Sequence, residues 1–297
     1  MEALHYYSTA GKLTGLERHK NRLDEMTDNP DYLCQIVQGL LLHDAWTESY
    51  GFRFVMEEDG WRMHMAALLD KVVELDPRPL TIPRAPEKRP VVCCREFATL
   101  ACALLAAKGV PARSRCGFAA YFGRGLHDHW IVEYWNGERW VGSDPQIDPL
   151  QLSLLQKWGV PVGRNGTVNP HDLSADDFHV AGKAWRLCRS GEMDPDAYGI
   201  DDARGLCFVR GQLLRDFASL NKIQPVPHFV RIMHGLDWQP WRLMQAGDGE
   251  LSDLEWALLD RVALLSEEPH GNIAEIRRLY AETELLQVPE ILLSMRP

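Results

Sequence analysis

From residue 1 to about residue 90 the apolar positions recur mostly at helical spacing. Thr14 and Glu17 have the spacing of a capping box and predict a helix from there to about Met26. After Pro30, residues Leu33, Ile36, Val37, Leu40, Leu41 and Ala45 share one helical face, and Gly51 is placed to stop the run. His43 falls on the polar side of that helix. A third stripe, Leu68, Leu69, Val72 and Val73, follows Trp61. Pro77, Pro79, Pro83, Pro86 and Pro90 then forbid helix and predict an extended connector.

The texture changes at Val91. Phe97, Leu100, Ala101, Leu104 and Leu105 predict a buried helix over Cys94–Ala107, with Gly109 just past its end. Pro111–Tyr121 reads as a strand. Trp130–Trp135, then Asn136-Gly137, then Glu138–Val141 reads as a hairpin with a tight turn. A two-residue loop at Asn136-Gly137 pairs Glu133 with Trp140 and sets His129 directly opposite Asp144, on one face. Beyond Pro149 the helical period returns over Phe178–Arg189, over Leu206–Leu220, from Ser252 and Glu255 to about Leu265, and from Asn272 onward. The pattern predicts an α+β protein, in which a helix packs on an antiparallel sheet and is wrapped by helices from both ends. Its parts are an N-terminal helical part of the core domain over 1–90, a core over 91–150 and a C-terminal helical region over 151–297.

Composition narrows the function classes. The 297 residues are 45% hydrophobic and 25% charged, which excludes fibrous and largely disordered chains. A formal charge of −10 without a Lys/Arg run argues against nucleic acid as a partner. The absence of a long apolar stretch argues against a membrane span, and the N-terminus lacks a signal-peptide layout, so the expected location is cytoplasmic. Seven cysteines, an odd number without disulfide-like spacing, read as reduced thiols, most of them buried. The sequon Asn165-Gly-Thr167 carries no weight without an export signal.

Cys93 and Cys94 enter the core helix at its N-terminus, where unsatisfied N–H groups and the helix dipole stabilise a thiolate. A nucleophilic sulfur needs an imidazole as base and acid, and a carboxylate to orient it. The hairpin supplies both in His129 and Asp144.

Cys94-Arg-Glu-Phe-Ala, Gly109-Val-Pro-Ala-Arg113, His129-Trp-Ile-Val-Glu133, Arg139-Trp140 and Asp144-Pro145 resemble the transglutaminase-like core. That superfamily includes transglutaminases, related cysteine peptidases and amidases, and members that have lost activity. The resemblance implies a papain-like fold, with Cys94 as nucleophile, His129 as base and Asp144 as orienting carboxylate. It implies an amide-type substrate, small molecule or peptide, and no cofactor. Trp130 departs from the small residue usual after the family's His, and Cys93 from the glycine often found before its Cys. An arylamine N-acetyltransferase-like enzyme and an inactive scaffold on the same fold are the rival readings.

Other residues read more plainly. His127 and His129 flank Asp128, but without further ligand motifs a metal site is not expected, and His127 reads as a rim residue. Glu133 reads as charge support within the sheet, and Arg113 as a structural partner for carbonyls or a carboxylate. Trp130, Trp135 and Trp140 suit either an acyl pocket or packing. Nothing in the sequence sets an oligomeric state.

Overall fold

The computed structural model describes residues 1–51, 63–123, 125–160, 168–225 and 241–293. Trp61 and the Asn165-Gly-Thr167 sequon lie outside them. Leu42–His43 (β1) and Val91–Val92 (β2) form a short parallel pair, with Leu42 opposite Val91 and His43 opposite Val92. The main sheet is built from Ala112–Ala119 (β3), Leu126–Trp135 (β4), Trp140–Ser143 (β5), Phe178–Val180 (β6), Tyr198–Ile200 (β7) and Ala203–Arg204 (β8). Its order is β6-β3-β4-β7-β8, with β5 also on β4. The long β3–β4 ladder is antiparallel, from Ala112 opposite Tyr134 to Ala119 opposite His127. β7 runs parallel to β4, so the sheet is mixed rather than purely antiparallel.

The helices are Glu2–Tyr7 (α1), Lys20–Leu23 (α2), Pro30–Leu40 (α3), Met65–Leu75 (α4), Cys94–Ala107 (α5) and Pro149–Lys157 (α6). Ala181–Arg189 (α7), Leu206–Leu220 (α8), Arg242–Gln245 (α9), Asp253–Glu267 (α10), Pro269–Glu282 (α11) and Glu290–Leu293 (α12) follow among the described residues. The chain is α+β, as its patterning predicts.

Three local readings are corrected. Thr14 Oγ1 accepts from the Gly11 N–H at 2.7 Å, so it closes the preceding turn instead of capping a long helix. A 3₁₀ turn over Glu17–His19 and the short α2 are all that forms there. α3 begins as expected, with Asn29 Oδ1 accepting from the Tyr32 N–H at 3.0 Å, but it stops at Leu40. Leu42 then donates to the Pro90 carbonyl at 3.1 Å, so the apolar run turns into β1. Phe178–Val180, read as helix, pairs instead with Gly117–Ala119, and α7 starts only at Ala181.

The hairpin register is the fourth correction. Trp135 faces Trp140 and Glu133 faces Gly142, around a four-residue loop over 136–139. Asn136 Oδ1 accepts from the Glu138 and Arg139 N–H groups, both at 2.9 Å, and this side-chain cap widens the turn. Glu133 is therefore not opposite Trp140, the ladder ends with Val132 opposite Ser143, and in this register His129 is not directly opposite Asp144 but two residues further along β4 from the position that would face it. The slip is an even one, so side chains keep their faces.

α5 lies at the centre of the first core. Phe97, Leu100, Ala101 and Leu104 pack with Leu33 and Val37 of α3, Leu68 and Val72 of α4, and Val132 and Tyr134 of the sheet. A second core joins α7, α8, α10 and α11 to Tyr7 of α1. α8 also meets the side of β3 that β6 leaves open. Ser219 Oγ donates to the Ser114 carbonyl at 2.7 Å, and Asp216 Oδ1 accepts from the Cys116 N–H at 2.9 Å.

Candidate active site

Cys94 is the first residue of α5, and Cys93 is its N-cap. The Cys93 N–H donates to Glu96 Oε2 at 3.0 Å, which fixes the entry of the chain into the helix. Cys93 is buried and its sulfur lies 3.0 Å from the same carboxylate oxygen, whereas Cys94 is only partly buried. Ala98, one turn on, packs with Cys116 and Trp130, and Cys94 rests against that cluster.

His129 and Asp144 are both buried, and Nε2 of the imidazole donates to Asp144 Oδ2 at 2.8 Å. The Tyr121 hydroxyl donates to the same oxygen at 2.8 Å, and the Gln146 N–H to Oδ1 at 2.9 Å. Asp144 itself donates its N–H to the Pro170 carbonyl at 2.7 Å, just beyond β5. The carboxylate is thus held by groups on separate stretches of chain and is not free to turn. Phe122 closes the other side of the ring, with centroids 4.9 Å apart at 72°.

The Cys94 sulfur has Cys93, His129 and His43 as its interacting side-chain neighbours. With Nε2 of His129 committed to Asp144, Nδ1 is the nitrogen left for the sulfur. The structure therefore brings together all three residues singled out from the sequence. Their charges reinforce one another. The hydrogen bond from Cys93, against burial and with help from His129 and His43, holds the Cys94 thiol well below the ordinary cysteine range. Burial opposes a charge on His129, but the Asp144 carboxylate and the Cys94 sulfur outweigh it and push the imidazole up to about 10. Cys93 moves the other way, raised by its bond to Cys94, by burial and by Glu96.

Sequence reasoning missed four neighbours: His43, Asp44, Tyr121 and Asp128. His43 ends β1 and Asp44 opens a 3₁₀ helix over Asp44–Tyr50, neither of them on α3, and the parallel pairing with β2 brings His43 beside Val92 and so to the Cys94 sulfur. The adjacent His-Asp at the end of an apolar run was the available signal. Tyr121 carries no local signal and is found only through the fold. Asp128, next to His129 in β4, is raised to about 7 by burial and then by the negative charge on Cys94. His127 lies partly buried in β4, beside Phe122.

The remaining candidates separate cleanly. Arg113 and Arg115 both pair with Glu133, at 2.6 and 3.0 Å, so these residues support the sheet as read. Of the three hairpin tryptophans, Trp130 packs beside Cys94. Trp135 stacks on His270 at 5.4 Å, and Trp140 lies under the Arg113 guanidinium at 3.9 Å, so both serve packing.

Residues 84–145 match the family model of the transglutaminase-like superfamily, a span that includes Cys94, His129 and Asp144. Over that segment the chain is similar to the transglutaminase-like core, which supports the resemblance read from its motifs. No curated protein and no solved structure matches the chain. His43 and Asp44 lie outside the matched span.

Proposed function

We propose that the protein is a cysteine-dependent acyl-transfer enzyme acting on an amide-type carbonyl of a small molecule or peptide. The observation that carries this reading is the Cys94–His129–Asp144 contact chain, whose sulfur and imidazole are driven toward thiolate and imidazolium. In acylation the Cys94 sulfur forms a bond to the carbonyl carbon. The C–N bond then breaks, and the leaving nitrogen takes the proton from His129. Asp144 keeps Nε2 protonated and so reserves Nδ1 for the chemistry. In deacylation His129 takes a proton from the incoming water or amine, and the thioester opens. Water as acceptor requires no second binding site, which favours hydrolysis over transfer.

The test is a panel of amide and ester donors, with and without amine acceptors, followed by intact mass. A donor that leaves its acyl group on wild-type protein and not on Cys94→Ala supports the reading. If no donor acylates Cys94, and iodoacetamide modifies it no faster than an ordinary thiol at mildly acidic pH, the scaffold reading replaces it.

A further inference from the structure

We propose that His43, oriented by Asp44, is a second imidazole of the catalytic centre, donating a hydrogen bond to the Cys94 sulfur. This inference rests on the acyl-transfer reading and assigns to it a residue outside the family's matched segment.

β1 and β2 run parallel, with His43 beside Val92, and Cys93 and Cys94 follow directly. The His43 ring also lies over Phe97, one turn into α5, with centroids 6.3 Å apart. Its Nδ1 is 3.0 Å from Asp44 Oδ1. The Ala45 N–H donates both to that nitrogen, at 3.2 Å, and to Asp44 Oδ1, at 2.7 Å. In the protonated ring Nδ1 carries its own proton and faces the Asp44 carboxylate 3.0 Å away. The other nitrogen of His43 is left for the sulfur. The centre is a sulfur between two imidazoles, each backed by its own aspartate.

The charges facing His43 favour its protonated form. On its own element stands Asp44; from the start of α5 come Cys94 and, behind it, Cys93 and Glu96. Across the sulfur lie His129 with Asp144, and Asp128 of β4. Burial works against a charge on His43, yet the bonds to Asp44 and Cys94 raise it to about 9.

A second imidazolium gives the sulfur a constant partner. His129 loses its proton to the leaving nitrogen and regains one from water within each turnover, whereas His43 passes none on. During deacylation His129 removes a proton from water, the water oxygen bonds to the acyl carbon, and the C–S bond breaks with its electron pair going to sulfur. His43 receives that thiolate with an N–H it has kept throughout. Amide and water become acid and amine, and His43 neither gains nor loses a proton.

The experiment is the rate of Cys94 alkylation by iodoacetamide as a function of pH, read by intact mass on the full chain. Wild type is compared with His43→Gln, Asp44→Asn and His129→Gln, each checked for folding by its thermal melt. In His43→Gln the alkylation profile should move to higher pH, with a rate about tenfold below wild type near mildly acidic pH. Asp44→Asn should move it the same way and less far, as a positioning residue would. A His43→Gln profile that superimposes on wild type overturns the proposal. Should that variant fail to fold, Asp44→Asn decides on the same criterion. A wild-type Cys94 no more reactive than a free thiol, with His129→Gln no different, overturns the acyl-transfer reading itself. A reactive wild type with unshifted His43 and Asp44 variants removes only the role of His43.

Discussion

Strand β4 carries two knots of buried charge, and they are built on different terms. At Glu133 the carboxylate is held by Arg113 and Arg115, and Arg115 passes its other face to Asp216 at 2.8 Å and to the Ser266 carbonyl at 2.7 Å. Both Glu133 oxygens and every nitrogen of the Arg115 guanidinium have partners, so the network stays in one charge state with its donors facing acceptors. At His129 the partners are the Cys94 thiol, the Asp144 carboxylate and a nearby second imidazole, and the sulfur and the imidazole are driven toward their charged forms together. The first knot fixes a shape. The second stores a proton beside a sulfur, and the difference between them separates support from chemistry on one strand.

The comparison breaks hardest at Cys94. Cys94→Ala should reduce turnover to background while leaving the melt of the Glu133 knot untouched, as read by acyl release and by calorimetry. Retained turnover would move the chemistry elsewhere. Asp144→Asn comes next. Its amide can still meet His129 but no longer holds the imidazolium, so the rate should fall about a hundredfold or more. Rates equal to wild type would make Asp144 a mere strand terminator.

Glu133→Gln should do the reverse. It leaves Arg113 and Arg115 short of a buried counter-charge and should cost about 3 kcal/mol in urea unfolding, with Cys94 alkylation unchanged in the surviving fold. A drop in alkylation without a drop in stability would merge the two knots into one.

The two knots should also fail at opposite ends of the pH scale. Burial opposes the Glu133 charge, but Arg113 and Arg115 bring it from 4.5 to about 2. Its folded-state value is lowered, so its stabilisation is present above 4.5 and lost as the pH falls through about 2. His129 is raised from 6.5 to about 10, so its contribution is full below 6.5 and lost as the pH rises through about 10. Melting temperature against pH should lose its acid slope in Glu133→Gln and its alkaline slope in His129→Gln. The smallest effect on turnover is expected at Cys93, whose S–H also meets Glu96 Oε2 at 3.0 Å: Cys93→Ala should keep most of the turnover, while Cys94 alkylation in mild acid slows by about tenfold, at least as much as in His43→Gln.

How far the site was legible follows from how local its determinants are. α5 runs over Cys94–Ala107 as its apolar period predicts, because that helix is buried around most of its circumference and Gly109, with φ 76°, ends it. Cys94, His129 and Asp144 could be chosen by residue type and by a hairpin whose face survives a register error. His43 could not. The run Leu40-Leu41-Leu42 continues a helical stripe, and only the distant Val91 turns it into a strand. Phe178–Val180 misled for the same reason, since its strand character comes from Gly117. A Cβ at Gly117 would come within 2.3 Å of the His179 carbonyl, so that close approach needs glycine.

The polar stripe of α8 has a consequence for behaviour in concentrated solution. An unpaired strand edge is a template on which a foreign strand can add. On β3 the Ser114 carbonyl and the Cys116 N–H are instead consumed by Ser219 and Asp216. α8 therefore acts as a stopper on the end of the sheet. A chain in which Asp216→Ala loosens that helix would offer the edge to its neighbours, and its loss would be read first as self-assembly and turbidity.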